Sequence, residues 1–291
     1  MASRRAVSEE SPLDNEGHGG SPGAGSRTSQ DVGPERVRDA WGEIYRDHPA
    51  IAHASLYERI GRVSHRDFIR IVSRVLRTSV SQLILEAGCG KGVDGFYLAS
   101  IGHSVVSLDC HLYPLNAIRT AAAAARRRGS TPDIRPVAGD IFDPPFRANS
   151  FDLVFNSGVV EHFSSRATRV RMLAALAGVV KQGGCLAVAI PNKTHPLARY
   201  WTALISRSSD FDSYGIPECA ITPAEIKEEM EEAGLREVVV EGLDVYDTLS
   251  HYPEWLPLRL VSYAARMLLP MPSTSARRRF GVRLLALGTK E

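Results

Sequence analysis

The chain has 291 residues, of which 44% are hydrophobic and 23% charged, and its formal net charge is +2. These values are typical of a globular protein with a large core, and they exclude collagen-like, wholly disordered and disulfide-scaffold chains. Because nucleic-acid-binding domains usually carry a basic excess, the balanced charge predicts no nucleic-acid partner.

The first 35 residues differ from the rest. They contain six Gly, six Ser and three Pro and no aromatic residue. This composition cannot bury enough apolar surface to offset the entropy of ordering, so we expect residues 1–35 to form a disordered tail. The region also lacks the apolar stretch of a secretory signal.

The four cysteines indicate a compartment. Cys89, Cys110, Cys185 and Cys219 show no C-x-x-C spacing. We therefore expect neither a metal cage nor a disulfide framework, and we expect a cytoplasmic location.

Two helices are predicted before any strand. Apolar residues recur at helical spacing over 34–47, and again from Ser55 to Arg77. Together they predict an N-terminal helical cap over residues 36–80, ahead of a larger domain that covers 81–291.

The larger domain alternates strands with helices. Short apolar runs predict strands at 82–86, 104–108, 133–138, 150–156 and 184–190, with helices at 93–100, 112–128 and 166–180 between them. A further helix, Thr222–Ala233, opens with a Thr-Pro-Ala-Glu capping box, and two more strands follow at 237–241 and 280–287. The pattern predicts an α/β fold, a Rossmann-like doubly wound sheet of seven strands.

A glycine-rich turn follows the first predicted strand. In Glu86-Ala-Gly-Cys-Gly-Lys-Gly92 the missing side chains let a ligand approach the backbone, and the next helix offers free N–H groups. Asp109 ends the second strand, where a carboxylate can accept hydrogen bonds from ribose hydroxyls. The residues from Gly90 to Gly95 also satisfy G-x-G-x-x-G, so an NAD(P)-dependent oxidoreductase is an alternative, although Val93 stands where the strand register requires a third glycine.

Four separated motifs extend this pattern: ILEAGCGKG (84–92), VVSLDCH (105–111), AGDIFDPPFRANSFDLVFNSGVVEHF (138–163) and VVKQGGCLAVAIPN (179–192). With them, residues 80–290 resemble the class I S-adenosylmethionine (SAM)-dependent methyltransferases, most closely the small-molecule group called type 11 or type 12. The resemblance implies a transferase with SAM as cofactor and a seven-stranded sheet whose last strand is antiparallel.

The resemblance also implies a set of cofactor-binding residues. Glu86 and the glycine backbone would hold the methionine part of SAM, Asp109 the ribose, and Asp140 with Ile141 the adenine; the end of the fourth strand would lie near the sulfonium. The full set is Glu86, Gly88, Cys89, Gly90, Gly92, Asp109, Cys110, Asp140, Ile141, Asn156, Ser157 and Gly158.

A general base is required only if the acceptor is poorly ionised, as an alcohol or phenol is. His162, directly after the fourth strand, is the best placed candidate base, and a structural or wall role is its alternative. His111, His195 and His251, in predicted loops, are the other candidates. Glu161 is an alternative ligand for a divalent metal, although no metal site is predicted.

The acceptor is expected beneath the cap and two insertions, at 192–221 and 243–279, which should cover the carboxyl ends of the strands. An aromatic lid would suit a hydrophobic acceptor, although these side chains would equally serve to pack the insertions onto the sheet. The candidate acceptor-binding residues are Trp41, Tyr45, His162, Tyr200, Trp201 and Tyr214.

The sequence thus predicts methyl transfer to an oxygen of a small or medium-sized hydrophobic metabolite, as in secondary-metabolite biosynthesis, with nitrogen and carbon as alternative targets. Methylation of RNA or protein and a non-catalytic SAM-fold scaffold are the other readings. The apolar stretch 256–272 is interrupted by arginines and prolines and is too short to span a bilayer, so no stable membrane insertion is expected. The oligomeric state is not predicted.

Overall fold

The computed structural model describes residues 33–47, 66–76, 80–198, 216, 218–245, 264–265, 268–269 and 272–291. The helices in these ranges are α1 Pro34–Asp47, α2 Arg66–Val75, α3 Val93–Ser100, α4 Leu112–Arg127, α5 Arg166–Val179, α6 Pro223–Glu232 and α7 Thr274–Phe280. The strands are β1 Leu83–Ala87, β2 Ser104–Asp109, β3 Ile134–Ala138, β4 Phe151–Ser157, β5 Val180–Pro191, β6 Arg236–Leu243 and β7 Arg283–Thr289.

The seven described strands form one sheet in the order β3-β2-β1-β4-β5-β7-β6. The pairs among β1 to β5 are parallel, whereas β7 runs antiparallel to both β5 and β6. The predicted seven-stranded, doubly wound sheet with an antiparallel last strand is confirmed.

Alternation along the strands explains why helices cover both faces. In β1, Ile84 packs on the side of α2, α3 and α4, whereas its neighbour Leu85 packs on the side of α5 and α6. Leu153 and Val154 divide in the same way in β4. Because successive strand residues point to opposite faces, nearly continuous apolar runs produce two cores, one on each side of the sheet.

The position of β1 locates the ligand-binding edge. Chain connections from β1 run outward through β2 to β3, while β4 lies on the other side of β1. Loops that leave the carboxyl ends of β1 and β4 therefore diverge, and open α/β sheets bind ligands in the crevice that results.

Most predicted bounds agree with the structure to within a few residues, and the difference at β7 has a clear cause. Phe280, predicted to begin the last strand, ends α7 instead. The Ser273 side chain caps this helix by accepting a hydrogen bond from the Ala276 N–H, and the Gly281 N–H donates to the Arg277 carbonyl at its end. The strand begins only at Arg283.

Strand β5 begins earlier than predicted, at Val180 rather than residue 184. Phe151 of β4 pairs with Val180 and Leu153 with Cys185, so the extra residues form an irregularity in the ladder. The capping box of α6 is confirmed, with Thr222 and Glu225 bonded to each other's backbone N–H groups.

Residues 1–32 of the predicted tail lie outside the described residues, as do residues 55–65 of the second predicted helix and large parts of both insertions. The end of the predicted tail is corrected, because Pro34 and Glu35 form the first turn of α1. Among the helices of the described ranges, none is both long enough and apolar enough to cross a membrane.

Candidate functional site

A cavity of about 560 Å³ lies at the carboxyl ends of the parallel strands, beneath α1. Its volume falls in the usual range of small-molecule sites. The described residues on its wall come from α1, from the carboxyl ends of β2 and β4, from the loops after β1, β2, β3 and β4, and from α5: Gly33, Pro34, Glu35, Val37, Arg38, Trp41, Tyr45, Gly88, Cys89, Gly90, Asp109, Cys110, His111, Asp140, Ile141, Phe142, Ser157, Gly158, Val159, His162, Phe163 and Arg171.

The glycine turn presents bare backbone to this cavity. Gly88 and Gly90 adopt left-handed conformations, with φ of 69° and 47°. A Cβ atom on Gly88 would lie 2.6 Å from a methyl carbon of Val159, too close for any side chain. Glycine is therefore required at position 88 both for its φ angle and for the close approach of the β4 loop.

Asp109 fixes this turn and also faces the cavity. One of its carboxylate oxygens accepts a hydrogen bond from the Gly90 N–H and the other from the His111 N–H, both at 2.9 Å. Burial raises the pKa of Asp109, and the N–H donors act in the opposite direction. Because an ionised carboxylate has about four acceptor positions, these two bonds leave lone pairs for ligand hydroxyls.

The wall after β3 is partly aromatic. Asp140 accepts a hydrogen bond from the Phe142 N–H at 2.8 Å, which sets the turn that carries Phe142. The Phe142 ring meets Phe163 edge to face at a centroid distance of 5.2 Å, and the Arg171 guanidinium lies 4.8 Å from its centroid. This end of the cavity combines a flat apolar wall with an acidic side chain.

Helix α1 closes the cavity from above. Trp41 contacts the His162 ring at a centroid distance of 5.4 Å, and the Tyr45 hydroxyl lies 3.6 Å from the point that a Cβ on Gly90 would occupy. The ring of His111 is 2.9 Å from the Arg38 carbonyl, which joins the helix to the loop after β2. Burial raises the pKa of Tyr45 above its usual range, so Tyr45 stays a neutral phenol.

Three of the predicted cofactor residues lie beneath the wall rather than on it. The Glu86 carboxylate accepts a hydrogen bond from Ser107 and abuts Gly95 of α3, and burial raises its pKa well above the usual range. Gly92 packs against Ile118, and buried Asn156 donates to the Ala87 carbonyl at 2.7 Å. These three residues are not among those that line the cavity, and their contact with the cofactor stays a prediction.

The remaining nine predicted cofactor residues line the cavity: Gly88, Cys89, Gly90, Asp109, Cys110, Asp140, Ile141, Ser157 and Gly158. Of the predicted acceptor residues, Trp41, Tyr45 and His162 line the same cavity, whereas Tyr200, Trp201 and Tyr214 lie outside the described residues.

Sequence reasoning missed several wall residues, including Phe142, Phe163 and Arg171. Phe163 ends one of the motifs quoted above, so its position carried a signal. His111, a less well placed candidate base in the sequence, also lines the cavity. Arg171 lies in the second turn of α5, and only the packing of that helix brings it to the wall.

Within the described ranges, no group of three or more His, Cys, Asp or Glu side chains is placed to hold a metal ion. The alternative of Glu161 as a metal ligand therefore finds no support from neighbouring ligands.

Comparison with known proteins agrees with this geometry. Residues 85–188 match the methyltransferase domain family. The ubiquinone biosynthesis O-methyltransferase of Methylobacterium sp. (strain 4-46) is 32% identical over 175 residues, which are 57% of this chain and 64% of that protein. A mouse protein named "Probable tRNA methyltransferase 9B" is 33% identical over 107 residues, 36% of this chain and 21% of that protein.

Solved structures share the fold. Magnesium protoporphyrin IX methyltransferase from Synechocystis PCC 6803, crystallised with S-adenosylhomocysteine (SAH), superposes with a TM-score of 0.55 at 16% identity, covering 88% of this chain and 98% of that one. The chain spans about two fifths of the length of the first curated relatives that it matches, with shares of 41% and 40%.

The sheet topology and the match over residues 85–188 together indicate a transferase domain that binds a nucleoside-containing cofactor. Residues 85–188 carry a methyltransferase domain, and its relatives include SAM-dependent methyltransferases, which is consistent with a class I methyltransferase domain whose cofactor is SAM.

The residues on the wall fit this cofactor. Bare backbone at Gly88 and Gly90 gives room for the aminoacyl part, a carboxylate with free lone pairs at Asp109 suits ribose hydroxyls, and the Asp140–Phe142 turn offers a flat apolar surface with an acceptor for a purine. Carboxylates and carbonyl oxygens also suit a ligand with a cationic sulfur, whereas a pyrophosphate favours N–H donors.

Proposed function

We propose that this protein transfers the methyl group of SAM to an oxygen of a small or medium-sized, largely hydrophobic organic acceptor. The proposal rests on one observation. The glycine turn, Asp109, the Asp140–Phe142 turn and the aromatic face of α1 all line the same cavity. SAM, when bound, supplies an activated methyl group on a sulfonium that leaves as a neutral thioether.

The protein's own residues bind, orient and exclude water. We assign Gly88, Gly90 and Asp109 to the aminoacyl and ribose parts of the cofactor, and Asp140 with Ile141 to the adenine. Trp41 and Tyr45 close the cavity from above, which keeps water from the methyl group and holds the reactants in line.

The acceptor class is inferred from the lining and from charge. Trp41 of α1 and Phe163 after β4 line the cavity with apolar rings beside His162, which favours an aromatic or hydrophobic acceptor. The formal net charge of +2 lacks the basic excess that is usual in nucleic-acid-binding domains. The O-methyltransferase relative agrees with an oxygen target, and the tRNA methyltransferase relative makes RNA the second candidate acceptor.

Labelled SAM incubated with the protein and an extract of the producing organism tests this function. We expect the label in organic-extractable molecules of low mass, identified by mass spectrometry, and no label when SAH is added in excess. The control is protein heated until it unfolds.

Label confined to the RNA fraction would replace the proposed acceptor by RNA. No transfer to any fraction would contradict the methyltransferase activity and favour a non-catalytic SAM-binding protein.

A further inference from the structure

We propose that Glu161 binds the reactive hydroxyl or amine of the acceptor and takes up its proton during methyl transfer. This inference rests on the methyltransferase function proposed above. It assigns a catalytic residue in the segment that follows β4.

Glu161 lies directly behind the cavity wall. It is the middle residue of a short 3₁₀-helix, Val160–His162, between two wall residues, Val159 and His162. A Cβ on wall residue Gly158 would lie 3.8 Å from its Oε1 atom. Among the described atoms outside the adjacent residues, Glu161 Oε1 is the one that lies within 4 Å of this point.

The carboxylate is buried and incompletely bonded. Glu161 is 6% exposed, and within the described part of the chain no donor reaches its Oε2 atom. A buried carboxylate oxygen without a donor costs free energy, because it has lost its water and gained nothing in return. An acceptor hydroxyl or amine would supply the missing donor.

The charges around Glu161 leave it able to hold a proton. Burial raises its pKa to about 7, while the backbone N–H groups of Glu161 and Val159 and the charge of Arg283 act in the opposite direction. Arg283, at the start of β7, is already paired with Asp244 at 2.7 Å. Besides Arg283, the described titratable groups around Glu161 are Cys219, whose N–H donates to the Glu161 carbonyl, and His162 beside it.

The transfer step balances between SAM, the acceptor and the Glu161 carboxylate. A lone pair of the acceptor oxygen forms the bond to the methyl carbon, and the carbon–sulfur bond breaks with its electron pair going to sulfur. The acceptor's O–H proton passes to the Glu161 carboxylate, which later releases it to water. For an amine acceptor, the N–H proton takes the same route.

Three variants test the assignment of Glu161. Glu161→Gln removes the base with little change of shape, and Glu161→Asp keeps a carboxylate at this position. Glu228→Gln, the matched control, changes an exposed glutamate of α6. We expect Glu161→Gln to lower transfer from labelled SAM to the extract acceptor at least about 100-fold, within the range for a general base. Glu161→Asp should recover part of the rate, and all three variants should bind SAH within about threefold of the wild type. The wild-type rate should rise with pH through about 7, and the rate of Glu161→Gln should not.

Urea unfolding without cofactor gives a second measurement that needs no activity. The ordinary pKa of 4.5 applies in the unfolded chain and about 7 in the folded one. Between these values the folded wild type binds more protons than the unfolded chain, so its stability falls as pH rises. Glutamine does not titrate, so Glu161→Gln should gain stability relative to the wild type between pH 5 and pH 8.

Two results would overturn the assignment of Glu161 and leave the proposed function intact. One is transfer by Glu161→Gln at the wild-type rate. The other is a Glu161→Gln variant that loses stability relative to the wild type as pH rises, which would make the carboxylate a structural partner of Arg283. Wild-type protein that binds SAH and transfers no methyl group would instead overturn the proposed function, and the assignment of Glu161 with it.

Discussion

Asp109 shows how one side chain serves both the fold and the site. Its carboxylate holds the N–H groups of Gly90 and His111, and so joins the turn after β1 to the start of α4. The same carboxylate faces the cavity. Because the two backbone donors fix its orientation, its remaining lone pairs are aimed before any ligand arrives, which lowers the entropic cost of binding.

A substitution at Gly88 tests whether the conformation of this turn affects cofactor binding separately from the stability of the fold. In Gly88→Ala the new methyl group would overlap Val159 and the residue would keep φ at 69°, so the turn must shift. We expect the dissociation constant for SAH to rise at least about tenfold, equivalent to about 1.4 kcal/mol. Calorimetric titration measures it.

The matched control is Gly102→Ala. Gly102 also has a positive φ, 104°, but a Cβ there meets no atom within 4 Å, and the residue is not on the cavity wall. It should lose about 1–2 kcal/mol of stability from backbone strain and keep its affinity for SAH. Equal affinities for both variants would mean that the turn does not contact the cofactor.

Among the helices, α5 and α6 are held together by a buried ion pair that reaches the cavity wall. Arg169 of α5 binds the Glu229 carboxylate through two nitrogens, and its third nitrogen donates to the carbonyls of Phe163 and Ser164 at 3.0 and 2.8 Å. Phe163 lines the cavity. The pair therefore ties the helix layer to the segment that carries His162 and Phe163.

Removing one member of this pair should be costly. Glu229→Ala leaves the Arg169 guanidinium buried without its carboxylate, for which about 3–5 kcal/mol is typical. The control is Glu232→Ala, which breaks the exposed pair with Arg166 at 2.7 Å and should cost much less, because solvent screens this pair. Urea unfolding at pH 7 compares them; similar small losses would show that the Arg169 pair does not stabilise the helix layer.

At the scale of the whole molecule, the sheet was predictable because its signals are local and periodic. Apolar runs of strand length, glycine at strand ends and a Thr-Pro-Ala-Glu cap each determine their own segment, and their alternation determines the parallel sheet. At Phe280 a local apolar run was misleading, because α7 has a cap at Ser273 and a contact distant in sequence, the ion pair of Arg277 with Glu241 of β6.

The site was predictable in part for the same reason. Gly88 and Asp109 stand at strand ends, where the sequence pattern marks them. That Glu86 and Asn156 support the turn from below depends on which way each side chain points from a strand end, and that follows only from packing against Ser107 and Ala87. Arg171 reaches the wall through the packing of a whole helix, which no local pattern records.

The central claim is that this cavity binds the cofactor through Asp109, and calorimetric titration of SAH tests it most directly. We predict saturable binding of one SAH per chain by the wild type and by Asp133→Ala, an exposed aspartate at the opposite end of the sheet. Asp109→Ala should weaken binding at least about tenfold, since hydrogen bonds to a charged group contribute about 1.5–3 kcal/mol. No binding by the wild type, or equal affinity of Asp109→Ala and Asp133→Ala, would contradict the account.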